Sequence, residues 1–158
     1  MKNSLKVMST TAILALTSSL AIADGHLSKE AEGAMKARSA HMTLYGHNSG
    51  ILGAMAKGQA DYDADLASSA AANLASLASM TETGYWIEGT DTSVEGSRAK
   101  PEIWTAMDDF ESKRKGLADA TAALVAAAGT DLEAMTAAFG IVGDACGACH
   151  KAYRGPRN

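Results

Sequence analysis

Apolar residues recur at steps of three and four along four long stretches of this chain, and no stretch alternates as a half-buried strand would. The first runs from about Leu27 to Lys57, with Ala31, Met35, Arg38, Met42, Tyr45, Ser49, Leu52 and Ala56 on one stripe. The second, about Tyr62 to Met80, aligns Tyr62, Leu66, Ala70, Asn73, Leu77 and Met80. The third is announced by "KPEIW": Pro101 suits a helix start, Glu102 its first turn, and Ile103, Met107, Phe110, Leu117, Thr121 and Leu124 continue the stripe. Thr130 and Glu133 have capping-box spacing for the fourth, which shows Leu132, Met135, Phe139, Val142, Cys146, Cys149 and Tyr153 before Gly155 and Pro156 end it. Both prolines of the chain therefore fall at helix ends. Two short connections and one long one, the glycine-rich and polar Thr81–Lys100, predict an all-α fold, an antiparallel four-helix bundle.

The N-terminus reads differently. Lys2 and Lys6 precede the apolar "AILALTSSLAIA", and Ala21 to Ala23 give a small-x-small cleavage pattern. Residues 1–23 are thus expected to be a signal peptide, and 24–158 an exported, periplasmic domain with no membrane span, the apolar run being too short for one. Without Lys2 and Lys6, 12 basic residues face 18 acidic ones, a net charge of −6. That balance speaks against nucleic acid, which needs clustered cations, and suits a soluble protein that meets basic partners.

Two Phe, two Trp and four Tyr are few for a domain of this size, whereas alanine and glycine abound. Such side chains pack helices closely but fill little interior volume. Either the helices lie very near one another or something else occupies the middle.

The only two cysteines stand in "CGACHKAYR", Cys146 and Cys149, with His150 directly after. A helical i, i+3 pair is poorly disposed for a disulfide, which would close only a very short loop. Zinc needs further ligands, and His26, His41 and His47 are isolated. A thioredoxin-like dithiol belongs beside a βαβ unit. There remains C-x-x-C-H as the attachment pattern of one covalently bound haem c, with thioether bonds to Cys146 and Cys149 and His150 as axial ligand to the iron. Arg38 interrupts a core-facing stripe. A guanidinium there needs a partner, and a haem propionate would match its planar fork, unless the side chain snorkels to solvent.

The terminal C-x-x-C-H, the "RSAHM" of Arg38 to Met42 on the first helix and the "KPEIW" before the third together resemble class II c-type cytochromes, cytochrome c′ and its low-spin, Met-ligated relatives. The resemblance implies a haem near one end of the bundle, Cys146 and Cys149 at the thioether positions, and His150 as proximal ligand. It also implies Arg38 near the propionates, Arg154 in the proximal pocket, and the first helix lining the distal face. Met42 matches the distal position, which in some members binds the iron through sulfur and in others only blocks it. Two functions follow as expectations. One is periplasmic electron transfer with redox partner proteins, Met42 being the sixth ligand. The other is a five-coordinate, cytochrome c′-type binder of nitric oxide or carbon monoxide. His41 and His47 lie off the Met42 stripe, which argues against an enzyme. Relatives of the cytochrome c′ type often form homodimers through their first two helices.

Overall fold

A computed structural model describes residues 27–156, and the expected signal peptide lies outside the described residues. Five helices follow one another: α1 (Lys29–Ala56), α2 (Ala64–Ser79), the single turn α3 (Glu102–Thr105), α4 (Met107–Ala127) and α5 (Leu132–Tyr153). Three of them start on side-chain caps. Ser28 accepts from the Ala31 N–H at 3.2 Å, Asp63 from Leu66 at 2.9 Å, and Asp131 from Ala134 at 2.8 Å, each satisfying a backbone donor that the helix cannot. The last of these corrects the sequence reading. Asp131, not Thr130, is the cap of α5, because it is the Asp131 carboxylate that reaches the free N–H groups.

The expected third helix is also broken in two. Ala106, at φ −134° and ψ 45°, leaves the helical region between α3 and α4. Burial of Ile103 and Phe110 in one cluster accompanies the break. Neither glycine nor proline marks it.

Tertiary hydrogen bonds fix the directions of the long helices. Asn73 donates to Asn48 at 3.0 Å between α1 and α2, and Tyr62, just before α2, donates to the Ala128 carbonyl after α4 at 2.8 Å. Phe110 near the start of α4 meets Tyr153 at the end of α5, ring centroids 5.3 Å apart. Each helix is therefore antiparallel to the next, and α1 to α5: an up-down-up-down bundle. Its main core joins Leu52, Met55, Leu74, Leu124, Met135 and Val142 through the alanines of α2, which let the axes approach. Burying each of these large side chains contributes about 2 kcal/mol.

The stripes are rotated from those expected. On α1 the buried positions are Ala31, Ala34, Arg38, His41, Asn48, Leu52 and Met55. His41, set aside in the sequence as isolated, is thus a core residue at 3% exposure, while Met42 is 44% exposed. Leu66 and Met80, expected on the inner stripe of α2, face outward. A second cluster gathers half of the aromatic residues: Trp86, Trp104, Phe110 and Tyr153 surround Ile103, with Trp86 edge-on to Phe110 at 4.6 Å. The aromatic side chains are few but concentrated at one end.

The long connection 80–101 packs against that end. Arg98 donates to the Gly155 carbonyl at 3.0 and 2.8 Å, Gly155 donates back to Arg98 at 2.7 Å, and Ala99 forms an isolated bridge with Arg154. A methyl added at Gly155 would come within 2.8 Å of the Thr92 methyl, so a larger residue at this crossing would have to displace Thr92. Helix α5 is long and apolar enough by composition to cross a membrane, yet its Met135, Val142 and Tyr153 are buried in the bundle.

Candidate functional site

Cys146 and Cys149 sit one turn apart on α5 and bridge the two clusters. Cys146 packs on the main core and Cys149 on the aromatic one. Burial pushes both thiols above their ordinary range, and the neighbouring Cys146 raises Cys149 further. Redox-active dithiols have depressed values instead. Among the described residues, no group of three or more His, Cys, Asp and Glu side chains converges as a metal cage would. Two neutral thiols remain, half-buried on one helical face.

His150 lies one turn beyond Cys146. Burial first, then the charges of Arg154 and Arg98, hold its imidazole below the ordinary histidine value. At neutral pH the ring therefore keeps the lone pair that a metal requires. Arg154 caps α5 and is exposed, its N–H bonded to the His150 carbonyl at 3.0 Å.

The register between α1 and α5 places Met42 relative to these groups. The two helices meet at Gly53, where an added methyl would lie 3.7 Å from the Phe139 ring. Eleven residues back along α1 lead to Met42, and eleven forward along the antiparallel α5 lead to His150. Both steps are about 16 Å. Met42 and His150 therefore stand level, on the flanks that the two helices turn toward each other. Gly46 and Gly143 are exposed, and a methyl on either would meet nothing within 4 Å. Tyr45 packs on the main core from α1 as Cys146 does from α5, its hydroxyl raised by burial and by the charges of Glu82 and Cys146.

Arg38 is 8% exposed and does not snorkel. It donates to the Tyr85 carbonyl at 3.1 Å and to the Thr90 hydroxyl and carbonyl at 2.9 and 3.0 Å, over the Trp86 face at 5.0 Å. Three of its five N–H groups hold the long connection against α1, and two remain for an acceptor.

A polar network around Glu82 has no counterpart in the sequence reading. The Glu82 side chain, 8% exposed, accepts from Trp86 at 2.7 Å, pairs with Arg114 at 3.2 Å and faces His41 Nδ1 at 3.6 Å. His41 Nε2 meets the Leu77 carbonyl at 3.1 Å, and the ring stacks on Tyr45 at 4.9 Å. Glu82 thereby ties α1, the long connection and α4 together around one carboxylate. Its position, in a polar run next to a predicted helix end, carried no periodic signal.

A family model for cytochrome c′ matches residues 33–154. The chain belongs to the cytochrome c′ family. Cytochrome c-554 of Cereibacter sphaeroides is 43% identical over 145 residues, covering 89% of this chain and 94% of that protein. Among solved structures, cytochrome c′ from Rhodobacter Spheriodes is 37% identical with a TM-score of 0.78, over 80% of this chain and 98% of that one. A ferrous arginine-to-lysine variant of cytochrome c′ from Alcaligenes xylosoxidans with bound nitric oxide is 34% identical, with a TM-score of 0.72, over 83% of this chain and all of that one. As a cytochrome c′ family member the protein is a haem protein with covalently attached haem c. The residues present fit that group: neutral thiols beside a neutral imidazole on α5, and an exposed thioether level with them on α1.

Proposed function

We propose that this cytochrome c′ family member is a periplasmic electron-transfer protein whose haem is bonded to Cys146 and Cys149, with His150 as axial ligand and Met42 as the sixth. The observation that supports this reading is the helical register, by which Met42 on α1 and His150 on α5 lie equally far from the Gly53–Phe139 contact, with the Met42 side chain exposed where a buried core filler would not be. The haem supplies a one-electron change between ferrous and ferric iron. The chain's own residues do the rest. The two thiols fix the haem to α5, and the lowered His150 offers a lone pair. The free N–H groups of Arg38 are available to a propionate while its other bonds keep the long connection closed. Arg98 and Arg154 oppose additional positive charge near His150, which favours the ferrous state and raises the potential. Were His150 and Met42 both to bind the iron, no position would be left for a substrate, which supports reading the protein as no enzyme. Export by residues 1–23 accounts for both the location and the use of the only cysteines. Leu44 and Leu66, exposed on α1 and α2, support a homodimer through those helices.

A second reading is favoured by the relative with nitric oxide bound: Met42 would gate an open sixth site for nitric oxide or carbon monoxide. Absorption spectra of the holoprotein in both redox states separate the two. The electron-transfer reading predicts six-coordinate, low-spin iron that turns high-spin in Met42→Ala. A high-spin ferrous wild type that takes up carbon monoxide readily would overturn it.

A further inference from the structure

A phenol or indole that loses an electron becomes strongly acidic, so the ring oxidised most easily is one whose proton has a base to go to. The chain has four tyrosines and two tryptophans, and only one of each donates to a carboxylate among the described residues. Tyr153 donates to Asp109 at 2.5 Å, and Trp86 to Glu82 at 2.7 Å. Tyr62 and Trp104 donate to the backbone carbonyls of Ala128 and Trp86, which are poor bases, and Tyr45 and Tyr85 donate to no described side chain. The Tyr153 bond, with Lys113 at 3.3 Å behind it, holds the Asp109 carboxyl below its ordinary value, and the same bond pushes Tyr153 up to about 12. At neutral pH a protonated phenol therefore faces an ionised carboxylate.

The two rings are also joined. Phe110 stands edge-on to both, its centroid 4.6 Å from Trp86 and 5.3 Å from Tyr153. Cys149 packs on the same cluster, at the point where α5 carries the C-x-x-C-H run. Tyr153 is buried at the inner end, whereas Trp86 is half-buried and Asp109 exposed. The Arg38 guanidinium over the Trp86 face opposes a cationic radical there, so oxidation of Trp86 requires its indole proton to leave for Glu82.

We propose that Tyr153 and Trp86 form a proton-coupled relay that carries oxidising equivalents away from the haem-bearing end of α5, sparing the haem from strong one-electron oxidants. This rests on haem attachment at Cys149 and not on Met42 binding iron. In the first step Tyr153 gives one electron to the oxidant. Its O–H bond breaks, the proton joins Asp109, and a neutral phenoxyl radical is left. In the second step Trp86 gives one electron to that radical. The indole proton joins Glu82, and Asp109 returns its proton to Tyr153. The net change is one electron gained by the oxidant and one neutral indolyl radical at the half-buried Trp86.

Photogenerated tris(bipyridine)ruthenium(III), which needs no coordination site on iron, tests the relay on the ferric holoprotein. Freeze-quenched samples should show a tyrosyl and an indolyl radical by electron paramagnetic resonance, the first narrowed by ring-deuterated tyrosine. Tyr153→Phe should remove the tyrosyl signal. Trp86→Phe should remove the indolyl signal and lengthen the life of the tyrosyl one several-fold. Asp109→Asn, which keeps the phenol and loses the base, should cut the tyrosyl yield several-fold, and Asp109→Glu should restore it. Tyr62→Phe, at the opposite end of the bundle, should change neither signal. Under sustained illumination the haem absorption should bleach several-fold faster in Tyr153→Phe and Trp86→Phe than in the wild type. A tyrosyl signal that survives Tyr153→Phe, an undiminished yield in Asp109→Asn, or equal bleaching in all variants would overturn the proposal. A high-spin spectrum would sink the Met42 reading without touching these outcomes. Mass spectra lacking haem on the Cys146–Cys149 peptide would sink the attachment and leave the radical sites to be judged by the signals alone.

Discussion

Glu82 draws three partners from three parts of the fold onto one carboxylate. It is nearly buried, and Arg114, Trp86 and His41 all converge on it. A buried carboxylate with cationic partners is not by itself a large stabiliser, but removing it strands the partners, at a cost of about 3–5 kcal/mol. Glu82→Ala is therefore expected to lower the urea unfolding stability of the holoprotein by about that amount. Arg114→Ala should cost less, because Arg114 is also held by Glu111 at 2.7 Å near the surface and Glu82 keeps Trp86. Equal losses for the two would show that Glu82 is not the hub. His41 explains why this network was illegible. It stands one position from Met42 and three from Arg38, so a small rotation of the α1 stripe decides whether His41 or Met42 faces the core. Periodicity alone resolves neither. Cys146, Cys149 and His150, by contrast, can be proposed from the sequence alone, because the chemistry of C-x-x-C-H is local and needs no tertiary context.

At the scale of elements, caps and breaks separate what local chemistry reveals from what packing decides. Thr130 and Asp131 are both good capping types, and their order in the chain does not say which adopts the extended conformation; the structure gives that place to Asp131, at φ −165°. Asp131→Ala is expected to destabilise the protein by about 1 kcal/mol in thermal or urea unfolding, and Thr130→Ala by far less. The reverse order would return the cap to Thr130. The break at Ala106 was invisible for a different reason. "IWTAMDDF" contains no residue that disfavours helix, and the discontinuity arises between the buried Ile103 and Phe110, which one cluster holds in place together. The four long helices, their directions and the long connection were legible, since Pro101, Pro156 and the glycines of 81–100 act locally.

For the molecule as a whole, alanines close the main core, and Gly53 meets Phe139 where α1 and α5 approach. The aromatic cluster with the pinned connection 80–101 closes the end that carries Cys149. The account turns on iron held between α1 and α5. X-ray absorption at the iron edge of the ferrous holoprotein tests this most directly. It should show one sulfur beside the nitrogen ligands, lost in Met42→Ala. A nitrogen-only shell in the wild-type protein would contradict the account.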